Sequence, residues 1–315
     1  MTVSILLPCN AVNYFENALE SILKQQFPLD QIQLVIVANG IEVKTLNQFN
    51  YGELKQNLVL LQTPPNGLVS ALNFGLSACD ADFVARMDQD DEMTPLRLAK
   101  QVTALEADDQ LSAIGGQLVL INSLGEVIGR ASYNSGRKLN KSRFQNSPLA
   151  HPAVTFRKAR VLEVGGYRSN IVEDWDLWMR LFEIGKIDNL KDIVLRYRVH
   201  ENQMSRSKLY ELKNAKSMIL TSHVLRNHDY VDIPGSAITG IEWISQIKIN
   251  APILVNKIEK YQMKFSKEEN FLDKLGRIRE LHSMTLPIRF MMLLLMNPRI
   301  SIALVFRKIL TRARR

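Results

Sequence analysis

The sequence has little cysteine: Cys9 and Cys79 are its only two in 315 residues. Neither belongs to a CxxC pair or to a Cys/His zinc pattern, which excludes a disulfide-stabilised scaffold and weakly favours a reducing compartment. The first eight residues also lack the basic segment and long apolar run of a secretory signal peptide, so we interpret them as a strand. We expect both thiols to be small buried groups.

Net charge is missing from most of the chain. Residues 271–315 carry ten basic and two acidic side chains, which account for the whole net charge of +8, so the first 270 residues balance to zero. A general polyanion-binding surface is therefore disfavoured and a basic tail is favoured. The tail lacks interleaved stacking aromatics, so we expect no nucleic acid partner.

A long uninterrupted apolar run is also absent. The most apolar stretch, residues 286–306, is broken by Asn297-Pro298-Arg299, and its continuous part is too short to span a bilayer. Apolar segments with basic neighbours are typical of an interfacial anchor on an anionic leaflet. The alternative is a helix that docks on the rest of the chain or in a dimer interface.

Short buried strands alternate with helices over the first two thirds of the sequence. Strands are predicted at residues 3–8, 32–37, 58–61, 83–87 and 193–199, and helices at residues 13–26, 71–77 and 174–185. This alternation predicts an α/β fold with a mainly parallel central sheet, whose ligands bind at the carboxyl ends of the strands. After residue 207 strand signals fade, so we predict a domain at 1–207 and a helical C-terminal region at 208–315.

The fourth predicted strand ends in an acidic cluster, Asp88-Gln89-Asp90-Asp91. Alternate positions of a strand point to the same side, so Asp88 and Asp90 suit a hard divalent ion such as Mg²⁺ or Mn²⁺ that also holds phosphate oxygens. The ion would offset the charge of a diphosphate leaving group. The alternative is a polar turn in which Asp91 or Thr94 caps the next helix.

Five groups of motifs occur in one order along residues 2–207. They are Val3-Ser4-Ile5-Leu6-Leu7-Pro8 with Ser21-Ile22-Leu23-Lys24-Gln25-Gln26; Asn66-Gly67-Leu68 with Ala71-Leu72-Asn73-Phe74-Gly75-Leu76; Asp88-Gln89-Asp90-Asp91; Gly165-Gly166-Tyr167 with Glu173-Asp174-Trp175-Asp176-Leu177-Trp178; and Tyr197-Arg198-Val199-His200 with Gln203 and Ser205. Together they resemble family 2 glycosyltransferases, which have the GT-A fold. The resemblance covers about two thirds of the chain.

The resemblance implies a metal-dependent, inverting transfer of a hexosyl or N-acetylhexosaminyl group from a nucleotide diphosphate sugar to an acceptor hydroxyl. It makes Asp174 the general base, and a helix N-terminus there is expected to lower its pKa. Glu173 and Trp175 are implied on the acceptor side. The alternatives are an N-cap role for Asp174 and core packing for Trp175.

The resemblance also implies a donor and metal site, and UDP is expected as the nucleotide on this ground alone. Asp90 is the first metal ligand, joined by Asp88 and His200. The alternatives are that Asp88 contacts the ribose, or the metal through water, and that His200 binds a phosphate oxygen or is structural. Arg198 would face the diphosphate or pair with an aspartate, and Asp91 would hold a sugar hydroxyl or cap a helix. The implied nucleotide-sugar-binding residues are Pro8, Asn10, Asn39, Gly67, Asn73, Arg86, Asp88, Asp91 and Arg198.

The segment after the second strand departs from the family pattern. Acidic residues are common there, one of them contacting the nucleobase, whereas this chain has Ala38-Asn39-Gly40. The Asn39 amide can donate and accept hydrogen bonds, so base binding survives but a carboxylate contact does not.

These residues bear on three possible functions. The first is a glycosyltransferase that acts on a glycan or lipid-linked acceptor in cell-envelope polysaccharide or lipopolysaccharide synthesis, cytoplasmic and peripheral on the inner face of the cytoplasmic membrane. The second is a catalytically silent GT-A-like scaffold subunit, which the altered Ala38-Asn39 segment permits and the acidic motifs oppose. The third, a nucleotidyltransferase, is disfavoured because a glycine-rich phosphate loop near the first strand is missing.

Overall fold

A computed structural model describes residues 1–143, 146–168 and 172–200. The domain boundary at 207/208, the predicted C-terminal helices and the apolar, basic tail all lie outside the described residues and stay predictions. Within the described ranges, every helix is too short or too polar to cross a bilayer.

The described elements alternate as the sequence predicts. The strands are β1 Val3–Cys9, β2 Ile32–Asn39, β3 Leu58–Thr63, β4 Phe83–Arg86, β5 Glu92–Met93, β6 Leu111–Ile121, β7 Val127–Ala131, β8 Thr155–Arg157 and β9 Lys186–Arg198. The α-helices are α1 Phe15–Leu23, α2 Val43–Leu46, α3 Leu68–Ser77, α4 Arg97–Ala107, α5 Gly136–Ser142, α6 Lys158–Glu163 and α7 Glu173–Ile184, and short 3₁₀ helices cover Leu29–Gln31, Gly52–Asn57 and His151–Ala153.

One mixed sheet organises the described residues. Its strand order is β3-β2-β1-β4-β8-β6-β9-β5, and β7 pairs with β6. Strands β1 to β4 pair in parallel, β8 runs antiparallel to both β4 and β6, and β9 pairs parallel to β6. Strands β1, β2, β3, β4, β6 and β9 therefore all point the same way, and their carboxyl ends share one edge. This confirms the mainly parallel α/β fold.

Two apolar clusters cover the two faces of the sheet. Alternate residues of β1 separate them, because Ile5 belongs to the cluster that contains α1 and α4, while Leu6 belongs to the cluster that contains α3 and α7. All seven residues of β1 are buried, which explains why the strand has no polar face in the sequence. The three layers hold the carboxyl edge of the sheet in place.

Residues 111–157 depart most from the sequence prediction. The long strand β6 and the short strand β8 were not predicted, nor were β7 and the helix α5 between them. Strand β9 is also longer than predicted and begins at Lys186. Its exposed residues at 191–193 break the apolar pattern on which the strand prediction depended.

The glycine of α3 is required by packing. A Cβ on Gly75 would lie 2.3 Å from Leu6 Cδ1 and 2.7 Å from Val37 Cγ2. We expect Gly75→Ala to lower the free energy of unfolding by about 1–3 kcal/mol, although alanine is the better helix former. Urea denaturation measures the change. Ser70→Ala, at an exposed position of the same helix, should stay within about 0.5 kcal/mol of wild type; an equally mild effect of Gly75→Ala would contradict this packing.

Candidate active site

The acidic loop after β4 gathers three carboxylates at the carboxyl edge of the sheet. One oxygen from each of Asp88, Asp90 and Asp91 lies within 4.8 Å of the others. Between them, Gln89 Oε1 accepts hydrogen bonds from the backbone N–H groups of Asn10 (2.7 Å) and Ala11 (3.3 Å). Gln89 Nε2 also donates to Asn10 Oδ1 at 2.8 Å. The glutamine thus ties the acidic loop to the end of β1.

Arg198, at the end of β9, fixes the other side of the acidic loop. Its backbone N–H donates to Asp91 Oδ1 at 2.8 Å, and its Nε donates to the Asp90 carbonyl at 2.9 Å. Its guanidinium also pairs with Glu92 Oε1 at 2.5 Å and donates to the Asn122 carbonyl at 3.0 Å. The ion-pair partner of Arg198 is thus Glu92 and not the aspartate that was predicted, although Arg198 also contacts Asp90 and Asp91 through main-chain atoms.

His200 lies against Asp90. Its Nε2 is 2.8 Å from Asp90 Oδ2. The Tyr14 ring packs against both His200 and Arg198, with its centroid 5.6 Å from the His200 ring and 4.5 Å from the Arg198 guanidinium carbon. Tyr14 has φ +65°, a left-handed conformation that is uncommon for a residue with a side chain. The aromatic ring therefore lies at the site at the cost of backbone strain.

Asp91 is the most enclosed of the three carboxylates. It is fully buried, and its Oδ2 has no hydrogen-bond partner among the described residues. Burial, followed by the charges of Asp88 and Asp90, raises its pKa well above the usual range. The predicted N-cap roles of Asp91 and Thr94 are wrong, because α4 begins at Arg97 and its N-cap is Leu96.

A second carboxylate pair opens α7. Its N-cap is Val172, so Asp174 is the second residue of the helix and not its cap. Asp174 Oδ2 accepts a hydrogen bond of 3.0 Å from Ser147 Oγ. Burial, followed by the charge of Glu173, raises the pKa of Asp174. The expected lowering by the helix N-terminus is therefore wrong, because desolvation and a neighbouring carboxylate outweigh the dipole.

Trp175 is enclosed by protein. Its side chain is 5% exposed, and its indole N–H donates to the Arg143 carbonyl at 2.9 Å. This is the packing role that was the alternative to stacking on a sugar ring.

Arg86 lies between the two carboxylate groups. It is the last residue of β4, is 2% exposed and forms an ion pair with Asp88. Burial alone would lower its pKa, but the charge and hydrogen bond of Asp88, followed by the charge of Glu173, outweigh burial and raise it. Its positive charge therefore acts on the acidic loop and on the start of α7 at once.

The remaining predicted donor residues lie at the ends of the neighbouring strands β1 and β2, immediately before α3, and on α3 itself. Pro8 is buried in β1 opposite Val37, and Asn10 follows it at the surface. Asn39 ends β2, where its Oδ1 is 3.4 Å from the Thr63 hydroxyl. Gly67, with φ +86°, precedes α3 and has open space around a Cβ position.

Asn73 has a different position from the other donor residues. Its Nδ2 donates to the Tyr167 carbonyl at 2.9 Å, and its Oδ1 accepts from the Tyr167 N–H at 3.0 Å. The side chain therefore crosslinks α3 to the turn at Gly165 and Gly166. Ion pairs of the buried Asp176 with Arg180 (2.6 Å) and Arg168 (3.3 Å) support the helix that follows that turn.

Sequence reasoning assigned no role to Tyr14, Gln89, His151 or Tyr167. Gln89 stands inside the acidic motif and Tyr167 follows the Gly-Gly pair, so their positions gave a signal. Tyr14 and His151 gave none, because their contacts join segments far apart in the chain.

Parallel strands, an acidic triad at their carboxyl ends and a carboxylate pair at a helix start are the arrangement expected of a glycosyltransferase of the GT-A fold, which is the class of this protein. The family model of Glycosyl transferase family 2 matches residues 4–166, more than half of the chain. The chain belongs to this family.

Two similar proteins are named as glycosyltransferases. O-antigen biosynthesis glycosyltransferase WbnJ of Escherichia coli is 35% identical over 202 residues, covering 62% of this chain and 78% of that protein. UDP-Gal:alpha-D-GlcNAc-diphosphoundecaprenol beta-1,3-galactosyltransferase of Escherichia coli is 28% identical over 208 residues, covering 61% of this chain and 71% of the relative.

Two solved structures share the fold. S. aureus TarS 1-349 in complex with UDP-GlcNAc superposes with a TM-score of 0.53 at 18% identity, over 70% of this chain and 66% of TarS 1-349. Mannosyltransferase PcManGT from Pyrobaculum calidifontis, in complex with GDP-Man and Mn²⁺, superposes with a TM-score of 0.51 at 16% identity, over 74% of this chain and 65% of PcManGT. The chain thus spans just under two thirds of each structure.

Proposed function

We propose that this glycosyltransferase moves a hexosyl or N-acetylhexosaminyl group from a UDP-sugar to a hydroxyl of a lipid-linked glycan, with inversion, in the synthesis of a cell-envelope polysaccharide or O-antigen. The observation that carries the proposal is the pairing of the Asp88–Asp91 loop with the Glu173–Asp174 pair, with the Arg86 guanidinium between them. The Asp88–Asp91 loop can bind a diphosphate together with its metal counter-ion, and the Glu173–Asp174 pair can supply a proton acceptor.

The residues of the acidic loop fit a hard divalent cation. Three carboxylates converge there, and the buried Asp91 Oδ2 lacks a hydrogen-bond donor among the described residues. Oxygen ligands of this kind are preferred by Mg²⁺ and Mn²⁺. Asp90, Asp88 and His200 would hold the ion, which when bound supplies positive charge beside the diphosphate leaving group.

Asp174 supplies the proton acceptor. Inversion requires a base on the face of the sugar opposite the leaving group, and a carboxylate fixed at the start of α7 can take the acceptor hydroxyl proton there. Its raised pKa makes the ionised Asp174 carboxylate a stronger base than an ordinary aspartate. Glu173, beside it, orients the acceptor.

Support for the acceptor class comes from the relatives. One is named for O-antigen biosynthesis and another for transfer to a diphosphoundecaprenol-linked sugar. A lipid-linked acceptor places the enzyme at the inner face of the cytoplasmic membrane, and the apolar, basic residues 286–315 would provide peripheral attachment there.

Thermal shift with a panel of nucleotide diphosphates, with and without Mn²⁺, tests the donor assignment. A ligand that binds only the native state stabilises it by mass action. We expect UDP with Mn²⁺ to raise the Tm more than GDP with Mn²⁺ or UDP with EDTA. A well-folded sample that responds to none of the nucleotides would refute the proposal and favour the silent scaffold.

Asn39 gives a prediction on nucleotide affinity. The family pattern places a carboxylate after β2, whereas Asn39 here shares its Oδ1 with the Thr63 hydroxyl. We expect Asn39→Asp to tighten UDP binding about tenfold, because a charged acceptor forms a stronger hydrogen bond to the uracil N–H than a neutral amide does. Calorimetric titration with UDP and Mn²⁺ measures the Kd. An unchanged Kd would show that Asn39 does not contact the base.

A further inference from the structure

A buried polar chain runs from Tyr167 through His151 to Glu173. The Tyr167 hydroxyl lies 3.1 Å from His151 Nε2, and His151 Nδ1 lies 3.3 Å from Glu173 Oε1. The rings of Tyr167 and Trp178 pack on the imidazole, with centroids 5.4 Å and 6.0 Å away. The His151 side chain is 8% exposed and the Glu173 side chain 13%. Each ring nitrogen therefore faces a defined protein partner.

The partners of the two His151 ring nitrogens determine which nitrogen donates a hydrogen bond and which accepts one. Burial, helped by the positive charge of Arg86, lowers the pKa of His151 to about 3, so the imidazole is neutral at neutral pH. A neutral imidazole has one donor and one acceptor nitrogen, and an ionised carboxylate only accepts. Nδ1 therefore carries the hydrogen and faces Glu173, while Nε2 accepts from the Tyr167 hydroxyl, whose pKa burial raises.

The Tyr167 end of this hydrogen-bonded series is anchored to α3. Asn73 of α3 holds both the N–H and the carbonyl of Tyr167. The preceding Gly166 has φ +67°, and a Cβ there would lie 2.8 Å from Asn73 Oδ1. A side chain at this position would push the anchor apart, so the close approach requires glycine.

We infer that His151 is a positioning residue for sugar transfer: it fixes the Glu173 carboxylate, and with it the first turn of α7 that carries Asp174. The inference rests on the proposed function. His151 itself is enclosed by protein, so it acts through Glu173 and not on the substrates. The reason is geometric: a carboxylate at a helix start has several rotamers, and the Tyr167–His151 pair selects one before the acceptor arrives.

Substitutions of His151 separate positioning from folding. His151→Leu removes both ring nitrogens, whereas His151→Asn keeps an N–H close to the place of Nδ1. The assay follows UDP release from UDP-galactose or UDP-GlcNAc, with a synthetic GlcNAc-diphosphate lipid as acceptor. We expect His151→Leu to lower kcat about tenfold and to leave the donor KM within about twofold of wild type. His151→Asn should recover most of the loss.

Val161→Ala serves as the matched control, because Val161 is buried in the same apolar cluster but lies outside the polar chain. It should lower the Tm and leave kcat unchanged. Wild-type kcat in His151→Leu, or equal losses in His151→Leu and His151→Asn, would overturn the inference. Absence of UDP release by wild type with every donor would instead refute the proposed function.

A spectroscopic measurement decides the geometry even without turnover. Nitrogen NMR of the histidine side chains, with His151 assigned by its loss in His151→Leu, should show a neutral ring protonated at Nδ1 from about pH 5.5 to 8. Tyr167→Phe and Glu173→Gln should each change the shift of the ring nitrogen that faces them. A ring protonated at Nε2, or a charged imidazolium at neutral pH, would contradict the inferred chain.

Discussion

Asp174→Asn is expected to lower kcat for sugar transfer by about 10²–10⁴-fold while leaving UDP-sugar binding close to wild type. The substitution keeps the shape of the side chain and its hydrogen bond from Ser147, which is 3.0 Å long in the wild-type structure. It removes only the capacity to take the proton of the acceptor hydroxyl. Steady-state kinetics and calorimetric titration of the donor measure the two quantities separately.

Asp109→Asn is the matched control, since the Asp109 side chain is 94% exposed and far in sequence from both carboxylate groups. It should have wild-type kcat. Transfer at a normal rate by Asp174→Asn would refute the assignment of Asp174 as the base, whatever the donor proves to be.

The same assignment fixes the sign of the pH dependence. Burial and the charge of Glu173 raise the folded-state pKa of Asp174, so the base becomes protonated at a higher pH than an ordinary aspartate. The rate should therefore fall on the acid side as the pH drops through that raised pKa, and this acid limb should vanish from the residual activity of Asp174→Asn.

Asp90→Ala has the second large expected effect. Asp90 belongs to the carboxylate triad and also contacts His200 Nε2 at 2.8 Å, so its loss removes a proposed metal ligand and the partner of another. We expect Mn²⁺-dependent UDP binding to weaken by at least about 100-fold. The Tm increase produced by UDP with Mn²⁺ should be lost, which a thermal shift titration records directly.

Asp82→Ala provides the comparison, because Asp82 is an exposed aspartate that precedes the same strand, β4. It should keep the full Mn²⁺-dependent shift. If Asp90→Ala retained the shift as well, the metal would bind elsewhere and the acidic loop would need another explanation.

The sequence predicted the elements that carry their own local signal. Strand β1 is buried on both faces, so its mainly apolar sequence identified it, and the acidic loop was placed at a strand end because Asp88 follows a strand of the same kind. The helix α7 was found from its apolar stripe, although its first residue is Glu173 and not the Asp174 predicted.

Other features depend on contacts between distant segments. Strand β8 has three residues and pairs between β4 and β6, so neighbours and not periodicity define it. The contact of His151 with Glu173 joins residues on a 3₁₀ helix and on α7. The direction of the Asp174 pKa shift was predicted wrongly because burial, which the sequence does not reveal, outweighs the helix dipole.

The stereochemistry of the product tests the central claim most directly. Proton NMR of the reaction of an α-linked UDP-sugar with the GlcNAc-diphosphate lipid and Mn²⁺ reports the new anomeric centre and the release of UDP together. A single displacement assisted by Asp174 predicts a β-linked product and one UDP for each sugar transferred. An α-linked product would contradict the role of Asp174 as base in an inverting displacement.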